Sequence, residues 1–268
     1  TILACRHVSK EMFGEGAEEF PARMAGNQFE STQRVGKWIY LHLRHEDTLI
    51  IHLGMTGHLS VEESKSPLEP HTHLRLALET GKKELRFVDP RRFGELKLFS
   101  RTQMIDWMES GHLGPDALSA SRDYFDDCFF LSKRNVKSVL MDQRRIAGLG
   151  NIYADEILFA AGVYPGAKAN HLKEGVTKSI HTAMNRILKQ AIKAGGSTIR
   201  DYADAYGKQG SYQNRHQVYG RAGKPCPKCQ TPIVVDRKLV SGRSTHFCPT
   251  CQTIGRPKSR TRPHPSPP

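Results

Sequence analysis

Four cysteines near the C-terminus constrain this chain more than any other feature. Cys226 and Cys229 are two residues apart, Cys248 and Cys251 likewise, and eighteen residues separate the pairs. This spacing is the one expected of a structural zinc site, in which two tight knuckles bring four thiolates onto one tetrahedral ion. Pro227 and Pro249 sit inside the knuckles. Four protein ligands leave no open position, so the expected cofactor is one structural Zn2+. Two disulfides are the alternative, and nothing in the sequence argues for the oxidising compartment they need. Between the pairs, Ile233-Val234-Val235 and Arg243 to Phe247 read as the strands of a hairpin. At its tip, Arg243 follows Gly242. A guanidinium there either offers two parallel donors to a phosphate or is a solvated turn residue. Cys5 and Cys128 are isolated and read as buried thiols.

The 268 residues carry 40 Lys+Arg against 27 Asp+Glu, a net charge of +13. Domains usually run to ~100–150 residues, so two or three are expected. With 38% hydrophobic residues, the chain can bury real cores, which excludes whole-chain disorder. No apolar run reaches the ~18 residues of a membrane span, and the opening residues do not read as a secretory leader, so a secreted protein is not the expectation. The positive surplus favours a polyanion, nucleic acid ahead of an anionic membrane, with a merely soluble basic enzyme as the alternative. Thr1 to Val8 reads as an apolar strand without a preceding cap or turn. The expectation is therefore that chain precedes Thr1.

From Thr1 to about Phe99 the pattern is short strands: Trp38 to Leu43, Thr48 to Leu53, Leu74 to Leu78 and Leu85 to Val88. The last two are joined by a hairpin-like turn at Glu79 to Lys82. Arg101 to Met108 is helical, and Gly111 to Pro115 breaks it. Tyr124 to Met141, Tyr153 to Ala161 and about Leu172 to Ala194 show helical periodicity, the second closed by Gly162 and the third by Gly195-Gly196. Ser197 to Arg221 is polar and reads as a mobile loop. The expected class is α+β: an N-terminal antiparallel β-sandwich over 1–110, a helical domain over 111–205, a loop end and β-hairpin zinc finger over 206–252, and a disordered basic tail over 253–268.

Gly148-Leu149-Gly150-Asn151 joins two helices. Glycines there let another chain approach, and the amides opening the second helix meet it at the positive end of the dipole. Asn151 adds a side-chain donor, and Lys133, Arg134, Lys137, Arg144 and Arg145 flank the turn. A phosphate clamp and a plain helical hairpin with a solvated basic face both fit this pattern.

Leu131 to Lys137, continuing through Gly148 to Glu156, resembles the helix-two-turn-helix of bacterial formamidopyrimidine-DNA glycosylases. The four-cysteine module with Arg243 resembles that family's zinc finger. Further matches are Arg34 to Trp38, His52 to Gly57, Asp89 to Gly94 and Leu113-Gly114-Pro115, so the resemblance runs from Thr1 to about Gln252.

It implies a bifunctional base-excision repair enzyme, which flips oxidised purines out of duplex DNA, excises them through a Schiff base and cuts the abasic strand. By resemblance, Met55, Arg91 and Phe93 fill the gap left by the flipped base. Without it, Met55 and Phe93 would read as core packing and Arg91 as a solvated strand end. Lys37, Asn151 and Arg243 are placed on phosphates, with Lys37 and Arg243 also moving protons in elimination. His71 and Lys133 are further strand contacts, and Ser197, Thr198, Arg200 and Tyr202 open the lesion-recognition loop. The implied partner is duplex DNA with oxidised purines or abasic sites, met by a monomer in the cytoplasm, at the bacterial nucleoid.

The family's proline nucleophile and the glutamate after it have no match here. The expectation is that about twenty residues holding them precede Thr1. Thr1 is imaginable as a substitute nucleophile. A chain complete as it stands would instead bind damaged DNA without excision. An endonuclease VIII-like enzyme for oxidised pyrimidines and a zinc-ribbon regulatory protein are the other readings. Ser244 stands where the family commonly has glycine.

Overall fold

The computed structural model describes residues 1–14, 16–199, 207–240 and 242–256. Arg200, Tyr202 and the 257–268 part of the expected tail lie outside the described residues. The chain divides into two compact units, the first comprising Thr1–Ser119, Gln143–Gly148 and Leu188–Arg215, the second Ala120–Asp142, Leu149–Ile187 and His216–Pro268.

The first unit is built on strands β1 (Ile2–Val8), β2 (Phe29–Val35), β3 (Trp38–Leu43), β4 (Thr48–His52), β5 (His58–Glu63), β6 (Thr72–Leu78), β7 (Lys83–Val88) and β8 (Glu95–Phe99). They form two four-stranded antiparallel sheets, ordered β1-β6-β7-β5 and β2-β3-β4-β8. Alternation explains the packing: Leu74, Leu76 and Phe87 from one sheet and Leu41, Leu49, Ile51 and Leu96 from the other share one buried cluster. The run Leu49-Ile50-Ile51 is apolar on both faces because helix α3 (Arg101–Glu109) covers the other side. There Ile50, Trp38 and Tyr40 meet Met104 and Trp107. Ser100 caps α3 in a reciprocal capping box with Gln103. Two helices of one turn, α1 (Lys10–Phe13) and α2 (Phe20–Met24), were not legible in the sequence and seat Met12, Phe20 and Met24 on the core.

The second unit carries α4 (Arg122–Phe130), α5 (Val136–Leu140), α6 (Asn151–Ala160), most of α7 (Glu174–Lys193), and the hairpin of β9 (Val234–Val240) and β10 (Arg243–Phe247). The stretch from Tyr124 to Met141 is two helices rather than one. Asn135 is extended, and its side-chain oxygen caps α5 by accepting from the Ser138 amide at 2.8 Å. The region expected as a mobile loop is in part ordered, with Tyr212, His216 and Val218 buried. The Glu156 carboxylate explains part of that order, accepting from the amides of Gln217, Val218 and Tyr219 at 2.9–3.0 Å. Cys128 is buried as expected, whereas Cys5, on edge strand β1, is only half-buried. Among the described residues, no helix is long and apolar enough to cross a membrane.

Candidate nucleic-acid interface

In the first unit, Lys37 is exposed on the β2–β3 turn. Gly36 has φ +61°, and a Cβ there would stand 2.8 Å from the Ala147 Cβ. The Gly36 amide donates to Asp116 at 2.9 Å, and the same carboxylate receives both ends of the Arg34 guanidinium. Burial pushes Asp116 up, but Arg34 and the amides of Leu118 and Gly36 outweigh it and hold the carboxyl below its usual range. The turn is thereby fixed from beneath while its lysine stays outside.

A cavity of about 370 Å³ opens beside Lys37, bordered by His52 and Met55. Burial pushes the His52 imidazole below its ordinary value; Glu95 opposes this and Lys37 adds to it. The neutral ring packs on Trp38 at 4.9 Å, and its Nδ1 accepts from the Gly54 amide at 3.2 Å.

Met55 and Phe93 are 66% and 54% exposed, which excludes the core-packing reading. The Arg91 guanidinium lies 4.7 Å from the centre of the Phe93 ring. Fully buried Asp89 holds these groups: it accepts from the Thr56 hydroxyl at 2.6 Å, the Gly94 amide at 2.7 Å and the Arg91 amide at 3.3 Å. Burial alone would raise Asp89, yet these donors and the Phe93 amide hold it below the ordinary aspartate value. Gly54, at φ +65°, lets the Met55 turn close on the Phe93 loop, since a Cβ there would lie 2.6 Å from the Phe93 carbonyl carbon. His71 is exposed at φ +64°, and its carbonyl accepts from the Asp89 amide at 3.1 Å. In the segment expected to open a lesion-recognition loop, Ser197 is half-buried. The Thr198 amide donates to Gln213 at 3.0 Å, and its hydroxyl accepts from Gly210 at 2.9 Å.

In the second unit, Lys133 is exposed and Asn151 opens α6. One N–H of the Asn151 amide donates to the Ser244 carbonyl at 3.0 Å. An amide nitrogen carries two hydrogens, so a second donor remains. Arg243 is exposed at the start of β10. Of the five flanking cations, the three in this unit differ: Lys133 faces solvent, Arg134 pairs with Asp142 at 2.6 Å, and Lys137 is not a surface residue at all. Its side chain is 0% exposed, with Nζ 2.7 Å from Oδ1 of equally buried Asp155. The charge of Lys137 hid this role, and its place between Val136 and Val139 on a one-turn helix was the only hint.

The four finger thiols lie within 4.8 Å of one another, with Cys226–Cys251 at 3.9 Å and Cys229–Cys248 at 3.4 Å. Those separations exceed the ~2.05 Å of a disulfide and match the ~3.8 Å between ligands of a tetrahedron with Zn–S near 2.3 Å. The Lys228 and Cys251 amides point at the sulfurs of Cys226 and Cys248 at 3.4 and 3.3 Å, as thiolate ligands require. Cys226, Cys229, Cys248 and Cys251 fit a structural zinc, which would fix the hairpin that bears Arg243.

Exposed cations on pinned turns and an exposed apolar pair beside an arginine, together with a zinc-finger hairpin on a helical unit, define a DNA-binding repair fold. The formamidopyrimidine-DNA glycosylase N-terminal domain matches residues 1–96, the helix-two-turn-helix domain of the same glycosylases residues 113–203, and the zinc finger found in that family and in isoleucyl-tRNA synthetase residues 223–254. The formamidopyrimidine-DNA glycosylase of Moorella thermoacetica is 45% identical over 81% of this chain and 79% of its own length. The Lactococcus lactis enzyme, solved with abasic-site DNA, superposes with a TM-score of 0.87 at 33% identity over 94% of this chain and 92% of that one. A mutant of it, solved with Fapy-dG DNA, gives 0.87 at 32% over the same shares. The chain belongs to the formamidopyrimidine-DNA glycosylase family.

Proposed function

We propose that this protein is a base-excision repair glycosylase with abasic-site lyase activity, acting on oxidised purines in duplex DNA. The observation carrying this reading is the Met55, Arg91 and Phe93 group: two apolar side chains held in water by a rigid frame, with a cation stacked on one of them. Exposing them costs hydrophobic free energy with no return inside the free protein, whereas a stack vacated by a flipped base provides an apolar slot for both. Arg91 faces the orphaned base with its donors. The cavity beside Lys37 lies next to Met55, where an extruded nucleotide would enter.

Lys37, Arg243 and the second N–H of Asn151 take phosphates of the damaged strand, with Lys133 and His71 as additional strand contacts. Beside a leaving phosphate, Lys37 and Arg243 stabilise the charge that develops in elimination and supply protons for it. Ser197 and Thr198, with Arg200 and Tyr202, belong to the lesion-recognition segment. The zinc supplies rigidity to the finger when bound and takes no part in proton transfer. The protein works as a monomer in the bacterial cytoplasm, on nucleoid DNA.

The test is excision by the full-length polypeptide of 8-oxoguanine and of thymine glycol from otherwise identical duplexes, with borohydride trapping of the imine. Faster release of 8-oxoguanine and a trapped adduct are expected. Faster release of thymine glycol would move the protein to the pyrimidine-lesion branch, and sequence-specific affinity for undamaged duplex would make it a regulatory protein.

A further inference from the structure

Lys137 makes three polar contacts from a side chain with no exposed surface. Its Nζ donates to the Ser244 carbonyl and to the Thr245 hydroxyl, each at 3.0 Å. The Asp155 carboxylate faces it as an ion pair, with Oδ1 at 2.7 Å. The Arg243 charge lies near enough to act on it electrostatically. The Ser244 carbonyl is a junction, because it also accepts from Asn151 at 3.0 Å. On the far side, the second oxygen of Asp155 accepts from the backbone amide of His246 at 2.9 Å, with the His246 ring at 3.2 Å.

An ion pair buried this completely is weak evidence for stability, since removing both charges from water costs about as much as their attraction returns. Its value lies in direction. Lys137 on α5 and Asp155 on α6 grip β10 at three successive residues, Ser244, Thr245 and His246, immediately after Arg243. The same Ser244 carbonyl ties Asn151 to that strand. Displacing β10 by one residue would point these groups to the opposite face, so the grip fixes where Arg243 emerges relative to Asn151.

We propose that Lys137, with Asp155, is a positioning residue for DNA binding: it sets the register of β10 so that Arg243 and the free N–H of Asn151 engage phosphates of one strand together. This rests on the phosphate-contact reading of Arg243 and Asn151. Lys137 itself touches no DNA.

The experiment compares the zinc-loaded full chain with Lys137→Met/Asp155→Asn, which removes both charges, nearly keeps volume and leaves an oxygen to accept from the His246 amide. Affinity for a duplex carrying a stable abasic-site analogue is measured from low to high salt. The variant is expected to load one zinc and bind about tenfold more weakly, or roughly 1.4 kcal/mol. The slope of log K against log salt should fall by about one phosphate contact. A zinc-loaded variant with unchanged affinity and slope overturns the proposal.

Should that variant not load zinc, Lys137→Arg replaces it, keeping the charge but not the compact three-donor head. Its loss should vanish once Arg243→Ala is also present, because there is then no guanidinium to position. Additive losses overturn the proposal. If Arg243→Ala alone leaves affinity unchanged, the phosphate-contact reading fails and this inference with it. If Arg243→Ala weakens binding while the Lys137 variants do not, only the positioning role fails.

Discussion

In the sandwich unit, Met55, Arg91 and Phe93 stand on turns pinned from below by a carboxylate, Asp89, which receives a hydroxyl and several amides. In the helical unit, Arg243 stands at the end of a strand pinned by a buried lysine and bordered by a four-cysteine site. Each solution holds an exposed group still. The first is made of neutral donors around an anion and needs no ion pair or metal. The second depends on both, because a two-stranded hairpin has almost no core of its own: Cys226, Cys248, Ile233 and Phe247 are among its few buried side chains. The difference teaches where each site is vulnerable, to packing and acid in one and to metal loss in the other.

The largest expected effect is metal removal. Chelation, or Cys229→Ser, should cost the finger on the order of 10 kcal/mol of zinc-linked folding free energy. DNA affinity should drop beyond the range of a titration, while calorimetry still shows the unfolding transition of the sandwich. Simultaneous loss of both transitions would break the comparison.

Backbone packing comes next. Gly54→Ala should destabilise the sandwich by about 3 kcal/mol in urea titration, because left-handed φ and a backbone clash add. Gly242→Ala in the finger is the matched control. It has a similar φ of +67° but nothing within 4 Å of its Cβ, so only the strain of about 1 kcal/mol applies. Equal losses would show that the Gly54 contact does not lock the two turns.

Acid provides a third and smaller contrast. The depressed Asp89 value means that its contribution is present above the ordinary 3.8 and is lost as pH falls through the folded value. The depressed His52 value places an earlier loss just below 6.5. Asp89→Asn should cost about 2 kcal/mol near neutrality and flatten the lower part of the acid limb. It should leave the earlier step in place. Asp116 and Glu84 titrate low as well, so the limb is reduced and not abolished. An unchanged limb would remove Asp89 as the pin.

Much of this was legible in the residues. Cysteine spacing gave the zinc site because ligand geometry is local, and strand alternation gave the sandwich because each sheet has one core face. Lys37, Met55, Arg91 and Phe93 came from resemblance, which also selected the phosphate role that the glycine turn and the hairpin tip had left open for Asn151 and Arg243; periodicity alone would have sent Met55 and Phe93 into the core. The pins stayed hidden. Asp89, Asp116 and Lys137 act through partners up to about a hundred residues away, as with the bond from Lys137 to Thr245, and nothing in a local window marks a charge that will be buried. Helices α1 and α2 were missed because one turn carries too little periodicity to register.

The smallest expected change in stability belongs to the exposed group proposed to fill the gap left by a flipped base. Phe93→Ala removes a ring that is more than half exposed and takes no part in the buried cluster, so the unfolding free energy should change by less than about 0.5 kcal/mol. The frame beneath it, Asp89 with Thr56 and Gly94, consists of contacts that the substitution leaves intact. Preference for abasic over intact duplex should nevertheless fall several-fold, since base and aromatic stacking contributes ~1–3 kcal/mol per contact. Arg91→Ala should act in the same direction and less than additively with it, because the guanidinium rests on that ring. Competition binding with both duplexes reads the preference, and urea titration reads the stability. A Phe93→Ala protein that loses stability but keeps its preference would return Phe93 to ordinary packing and remove the functional half of the contrast between the two units.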